Sequence, residues 1–134
     1  MAHDEPLDPA RLLEVEKQNT GIVNDFLASW YEPHKTDISL LVPEGAYRTN
    51  DNSPAHSPES LIDYLKTRMG PEVRVVVTTH QTFARGNVVV NVRTDVVKAP
   101  GEPDRIFEIV GEFTVKKGKI VEWTDHVYTW SVAS

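Results

Sequence analysis

Residues 87–97, "NVVVNVRTDVV", read as a β-strand with charges in its middle. Strand side chains alternate faces, so Val88, Val90, Val92, Thr94 and Val96 share one face. Val89, Asn91, Arg93, Asp95 and Val97 share the other. A guanidinium and a carboxylate therefore stand two residues apart in a valine-rich strand. Further on, "KIVEWTDHVYTW" (119–130) places Asp125 on a face with Val121, Trp123 and Val127. Buried charge is costly unless it is paired and hydrogen-bonded. Arg93 is the natural partner for both acids, because its planar fork can hold Asp95 on one side and Asp125 on the other. This requires the two strands to lie close in one sheet.

The rest of the second half has the same character. "EVRVVVTTHQTFA" (72–84), "NVVVNVRTDVVKA" (87–99), "RIFEIVGEFTVKK" (105–117) and residues 119–130 are four strands rich in Val, Ile, Thr and aromatics. The breaks "RGN", "PGEPD" and "KGK" suit antiparallel turns. The first half is helical. In residues 8–32, Leu12, Val15, Ile22, Phe26 and Trp30 recur at helical spacing, with Asp8 as cap and Pro9 in the first turn. "KTDISLLV" (35–42) is expected as a second helix, "EGAYRTN" (44–50) as a short strand, and "SPESLIDYLKTRM" (57–69) as a third helix stopped by Gly70. Helices followed by a meander of strands indicate α+β: one domain over 1–134, with helices closing a curved sheet and residues 1–7 as a loose tail.

Composition narrows the function. Of 134 residues, 40% are apolar and 25% charged, which is ordinary for a globular chain. The formal net charge of −6 argues against a nucleic-acid partner, since an anion would meet an anion. With no cysteine, disulfides, thiolate metal sites and cysteine nucleophiles are excluded. The acidic start "MAHDEPLDPA" has no apolar h-region and no run is long enough to span a bilayer, so the expected location is the cytoplasm, with no membrane partner. The five histidines show no metal-ligand spacing and no glycine-rich phosphate loop is present, so neither metal nor cofactor is expected.

Two readings account for the charges in the strands. One is a structural ion-pair cluster. The other is a carboxylate pair with divided roles: two acids on one arginine cannot titrate independently, so one stays ionised as a base while the other keeps a proton as an acid.

The motifs Arg93-Thr94-Asp95, Ile109-Val110-Gly111-Glu112-Phe113, Gly118-Lys119-Ile120 and Trp123-Thr124-Asp125 resemble those of limonene-1,2-epoxide hydrolases. That family lies within a superfamily of cone-shaped α+β proteins that includes nuclear transport factor two, steroid isomerases and polyketide cyclases. The resemblance implies one-step hydrolysis of a small hydrophobic epoxide to a vicinal diol. Asp125 would be the base, Asp95 the acid, and Arg93 the bridge. Tyr47 with Asn50 or Thr49 would hold the water: the family spacing is Tyr-x-Asn, so either Thr49 takes the asparagine position or a bulge brings Asn50 into it. The expected pocket lining is Thr49, His80, Ile109, Phe113, Trp123 and Val127. An aldol-type cyclase, a ketosteroid-type isomerase and a non-catalytic ligand-binding module of the same fold are the competing readings. Apolar residues on both faces of the strands require cover on both, and a homodimer is expected to supply the second.

Overall fold

The computed structural model describes residues 8–133; the expected tail at 1–7 lies outside them. Helix α1 (Pro9–Ala28) begins as its sequence directs: the Asp8 carboxylate accepts from the Arg11 N–H at 2.9 Å, and Pro9 occupies the first turn. Three single 3₁₀ turns come next, at Ser29–Tyr31, Pro33–Lys35 and Ile38–Leu40. The helix expected over 35–42 is therefore absent. Asp37 accepts from the Ser39 N–H in an Asx turn, a local bond that competes with helix, and Leu41 and Val42 already belong to strand β1 (Leu41–Arg48). Helix α2 (Pro58–Arg68) is capped by Ser57, whose hydroxyl accepts from the Ser60 N–H. Among the described residues, two α-helices and three single 3₁₀ turns lie before the meander, against about three helices expected.

The meander is β2 (Arg74–Arg85), β3 (Val88–Lys98), β4 (Arg105–Lys116) and β5 (Lys119–Val132). The five-stranded sheet runs β1-β5-β4-β3-β2, with β1 parallel to β5 and every other pair antiparallel. The β4–β5 turn uses Lys117 and Gly118 at φ 52° and 78°, the left-handed pair that matches strand twist in a two-residue hairpin. Strand β3 is the clearest case of alternation. Val89, Asn91, Arg93, Asp95 and Val97 are buried and their neighbours are not.

Both helices pack on that inner face. Val23, Phe26, Leu27 and Trp30 from the first helical segment, and Leu61 and Leu65 from α2, meet Val89, Phe113, Val115, Ile120 and Trp123 in one core. Phe26 sits edge-on to Trp30, Phe113 and Trp123 at centroid distances of 6.0, 6.5 and 5.6 Å. Such contacts add to area burial. The inner face divides along its length into this aromatic half and an open half beyond Arg93. Phe26→Ala is expected to cost about 3–5 kcal/mol, read as a lowered urea midpoint.

Candidate active site

Arg93 and Asp125 lie on β3 and β5, with β4 between them. Gly111 of β4 makes the connection. It is the register partner of Asp125 and, on its other side, of Asn91. A Cβ at Gly111 would stand 2.6 Å from Arg93 Nη1 and 2.9 Å from Asp125 Oδ1. The guanidinium thus crosses β4 through the space that a side chain would fill. A lone glycine inside a strand is the sequence signal for such a close approach.

Arg93 Nε donates to Asp95 Oδ1 at 3.0 Å, and Nη2 donates to Asp125 Oδ2 at 2.5 Å, with a longer contact of 3.4 Å to Asp95 Oδ2. The Trp123 indole N–H donates to Asp125 Oδ1 at 2.7 Å. All three charged residues are buried. Burial favours the neutral acids, and one arginine cannot neutralise two carboxylates. Asp95 is pushed up to about 6, chiefly by burial, with the Asp125 charge adding and the Arg93 charge opposing. Burial also raises Asp125, against the Arg93 charge and the Arg93 and Trp123 hydrogen bonds. Burial disfavours the Arg93 cation, but the two carboxylates outweigh it and raise its pKa above the ordinary value.

Asp95 and Asp125 form the polar end of a cavity of about 180 Å³. Thr49, Asn50, Ile109 and Val127 line it, as the sequence suggested. So do Trp30, Tyr64, Met69, Val75, Val97 and Phe107. Val97 and Phe107 were legible from alternation, being two residues from Asp95 and from Ile109. Tyr64 and Met69 were not, because helical periodicity does not say which flank borders a void.

Some expected site residues stand elsewhere. The first is Tyr47, which is fully buried: its hydroxyl accepts from the Val42 N–H at 2.9 Å and donates to the Ile120 carbonyl at 2.5 Å. It pins β1 to β5 and does not line the cavity. Phe113 and Trp123 stack at 6.1 Å in the aromatic core; Trp123 reaches the site only through its N–H. His80 also misses the pocket. It shares the face of Val76 and Thr78, but that face is the outer one: the register slips at His80, and its Nε2 meets Thr94 Oγ1 at 2.7 Å. Thr94 in turn donates to Glu108 on the same outer face. His126, next to Asp125 but outward, contacts Asp51 at 3.1 Å and so ties the loop carrying Asn50 to the back of β5. Asn50 Oδ1 accepts from the Asn52 N–H at 2.7 Å, which holds that loop at the cavity wall. Among the described residues, no three His, Asp or Glu side chains converge as metal ligands.

No protein-family model and no curated protein matches the chain. Solved structures do. An M. tuberculosis LEH-like epoxide hydrolase superposes with a TM-score of 0.72 at 24% identity, over 84% of each chain. A Δ5-3-ketosteroid isomerase from Mycobacterium sp. gives 0.74 at 12% identity, over 87% of this chain and 98% of that one. The epoxide hydrolase/cyclase-like enzyme SalBIII, described for pyran ring formation in salinomycin, gives 0.73 at 13%, over 88% and 98%. The fold is the nuclear-transport-factor-two-like cone. At these identities the likeness establishes that cone and not the reaction it houses.

The site has a cost that can be measured. In the unfolded chain Asp95 returns to about 3.9. Between about pH 4 and 6 the folded protein therefore holds a proton that the unfolded chain has released, so stability falls as pH rises through that window and stays lower above it. A shift of about two units corresponds to about 3 kcal/mol. Asp95→Asn removes this penalty. Its Tm is expected to equal or exceed the wild type at pH 7, and the difference to close as pH drops below about 4. A Tm loss at pH 7 that persists at low pH would mean that Asp95 stabilises the fold.

Proposed function

We propose that the protein hydrolyses a small apolar epoxide to a vicinal diol in one step. The observation that carries this reading is the Asp95–Arg93–Asp125 bridge at the polar end of an otherwise largely apolar cavity. The likeness in fold to an epoxide hydrolase supports it.

The two acids differ in what holds them. Asp125 receives two short donors, from Arg93 and Trp123; Asp95 receives one good donor and one long one. Hydrogen bonds to the charged form favour it, so the shared proton rests on Asp95 and Asp125 is the base. Thr49 or Asn50 holds a water at the cavity wall. Asp125 takes a proton from that water as its oxygen bonds to an epoxide carbon. The ring C–O bond breaks, and Asp95 protonates the departing oxygen. The site is left with Asp125 protonated and Asp95 ionised, and it resets by moving one proton between two carboxylates on the same guanidinium. Ring strain drives the opening, and no cofactor is required. A carbon-acid isomerase has no need of two carboxylates on one arginine, which favours the hydrolase.

Purified protein is expected to convert at least one of limonene oxide, styrene oxide, cyclohexene oxide or a steroid epoxide to its diol. Asp95→Asn and Asp125→Asn should each lower the rate by about 10²-fold or more, with the fold retained by circular dichroism. The rate should decline as pH rises above about 6, where Asp95 loses its proton. Turnover that survives both substitutions would remove these aspartates from the chemistry.

The same reading includes a homodimer. Val76, Val90, Val92, Val96, Ile106 and Val110 share the outer face, while both helices pack on the inner one. A second copy laid on that face would cover it. Sedimentation is expected to give twice the chain mass, and Val92→Lys to give the monomer.

A further inference from the structure

The Trp130 side chain is 61% exposed, and its ring stacks on Phe107 with centroids 6.2 Å apart and planes at 21°. Single exposed apolar residues are ordinary and carry no meaning by themselves. This one is continuous with the cavity. Phe107 lines the cavity wall and packs against Val75 and Val97, which line it as well. An open ring stacked on a lining ring marks where the wall passes into the surface.

A bulge puts Trp130 there. Val127 pairs with Ile109 and Thr129 with Glu108, so Tyr128 is an extra residue in β5. Without it, Thr129 would follow Asp125 and Val127 onto the inner face. With it, that place passes to Trp130, the register partner of Phe107. Phe107 pairs in turn with Asp95, so Asp95, Phe107 and Trp130 form one row across β3, β4 and β5. Neighbouring strands stand about 4.8 Å apart, which puts the Trp130 backbone about 10 Å from that of Asp95. Among the described residues, β1 pairs with β5 no further than Thr124, and both helices pack at the aromatic end. The indole is therefore left open.

The cavity itself is small. Its volume of about 180 Å³ is close to the roughly 150 Å³ that takes one benzene ring, whereas drug-sized ligands fill about 300–1,000 Å³. We propose that Trp130 is a specificity-determining residue, a platform on which a flat apolar group projecting from the cavity lies. The substrate class is then an elongated epoxide. Its epoxide ring sits at Asp95 and Asp125, and an aromatic or fused-ring group lies about 10 Å away on the indole. The reaction in this statement rests on the hydrolase reading; the platform does not. An indole offers a large rigid surface and loses little side-chain freedom on contact, and the stack on Phe107 holds its orientation.

Calorimetric titration of the full chain with the diols of styrene oxide and of 4-phenylstyrene oxide tests this. The second diol carries one more ring, in line with the first. Both are products, so binding is read without turnover. The wild type is expected to bind the longer diol about 3–10-fold more tightly. Trp130→Ala should abolish that preference while its affinity for the shorter diol stays within about twofold, and Trp130→Phe should keep most of it. Equal binding of the two diols by the wild type, failure of the longer one to bind, or an equal loss of both in Trp130→Ala would overturn the proposal. So would a Trp130→Ala protein that sediments at about half the wild-type mass, since the ring would then be a subunit contact. A preference for the longer diol that depends on Trp130, in a protein that hydrolyses no epoxide, would keep the platform and remove the reaction.

Discussion

The reach of Arg93 across β4 is the constraint on which the rest of the site depends. One guanidinium joins two strands that are not neighbours, and it does so only because Gly111 presents no side chain. Removing Arg93 from this bridge would leave two buried carboxylates without compensation, which costs more than the intact bridge contributes. The sheet register, the glycine and the three charges are thus coupled. Moving any strand by one residue would turn its charge to the opposite face.

This arrangement explains why the molecule tolerates a destabilising core. Two acids and one base in a dry interior carry an excess negative charge, and one proton relieves it. Burial above all, with the Asp125 charge adding to it, raises Asp95 into the range where it can give up a proton near neutral pH. A fully neutralised ion pair would be easier to bury and would not hold a spare proton. The aromatic half of the inner face supplies compensating stability, and Trp123 belongs to both halves: its ring stacks on Phe113 while its N–H holds Asp125.

The inner and outer faces have different work. On the inner face, helices α1 and α2 cover the aromatic end and leave the carboxylate end open as a cavity. On the outer face, valines flank the polar chain of His80, Thr94 and Glu108. The extra residue at His80 shifts the parity of β2, so that Thr79 and Thr82, three positions apart, both face inward, where Thr79 accepts from Asn91, while His80 turns outward.

Alternation and turn chemistry are local, so the sequence alone determined the four meander strands, the caps at Asp8 and Ser57, and the shared face of Arg93 and Asp95. Strand parity and the need of a buried charge for a partner added Asp125 as the second acid on Arg93, and motif resemblance extended the reading to the cone fold and to Thr49 or Asn50 at the cavity. Tertiary structure decided what local rules leave open. Period-2 spacing grouped His80 with Val76 and Thr78 but could not say which face was inward. Tyr47 read as a water ligand until its hydroxyl was seen committed to Val42 and Ile120, backbone groups that become its partners only when β1 lies beside β5. Phe113 and Trp123 have the right parity for the pocket, yet they lie at the end that the helices cover. Position along a strand relative to a distant helix is a long-range fact, and no spacing within the strand encodes it.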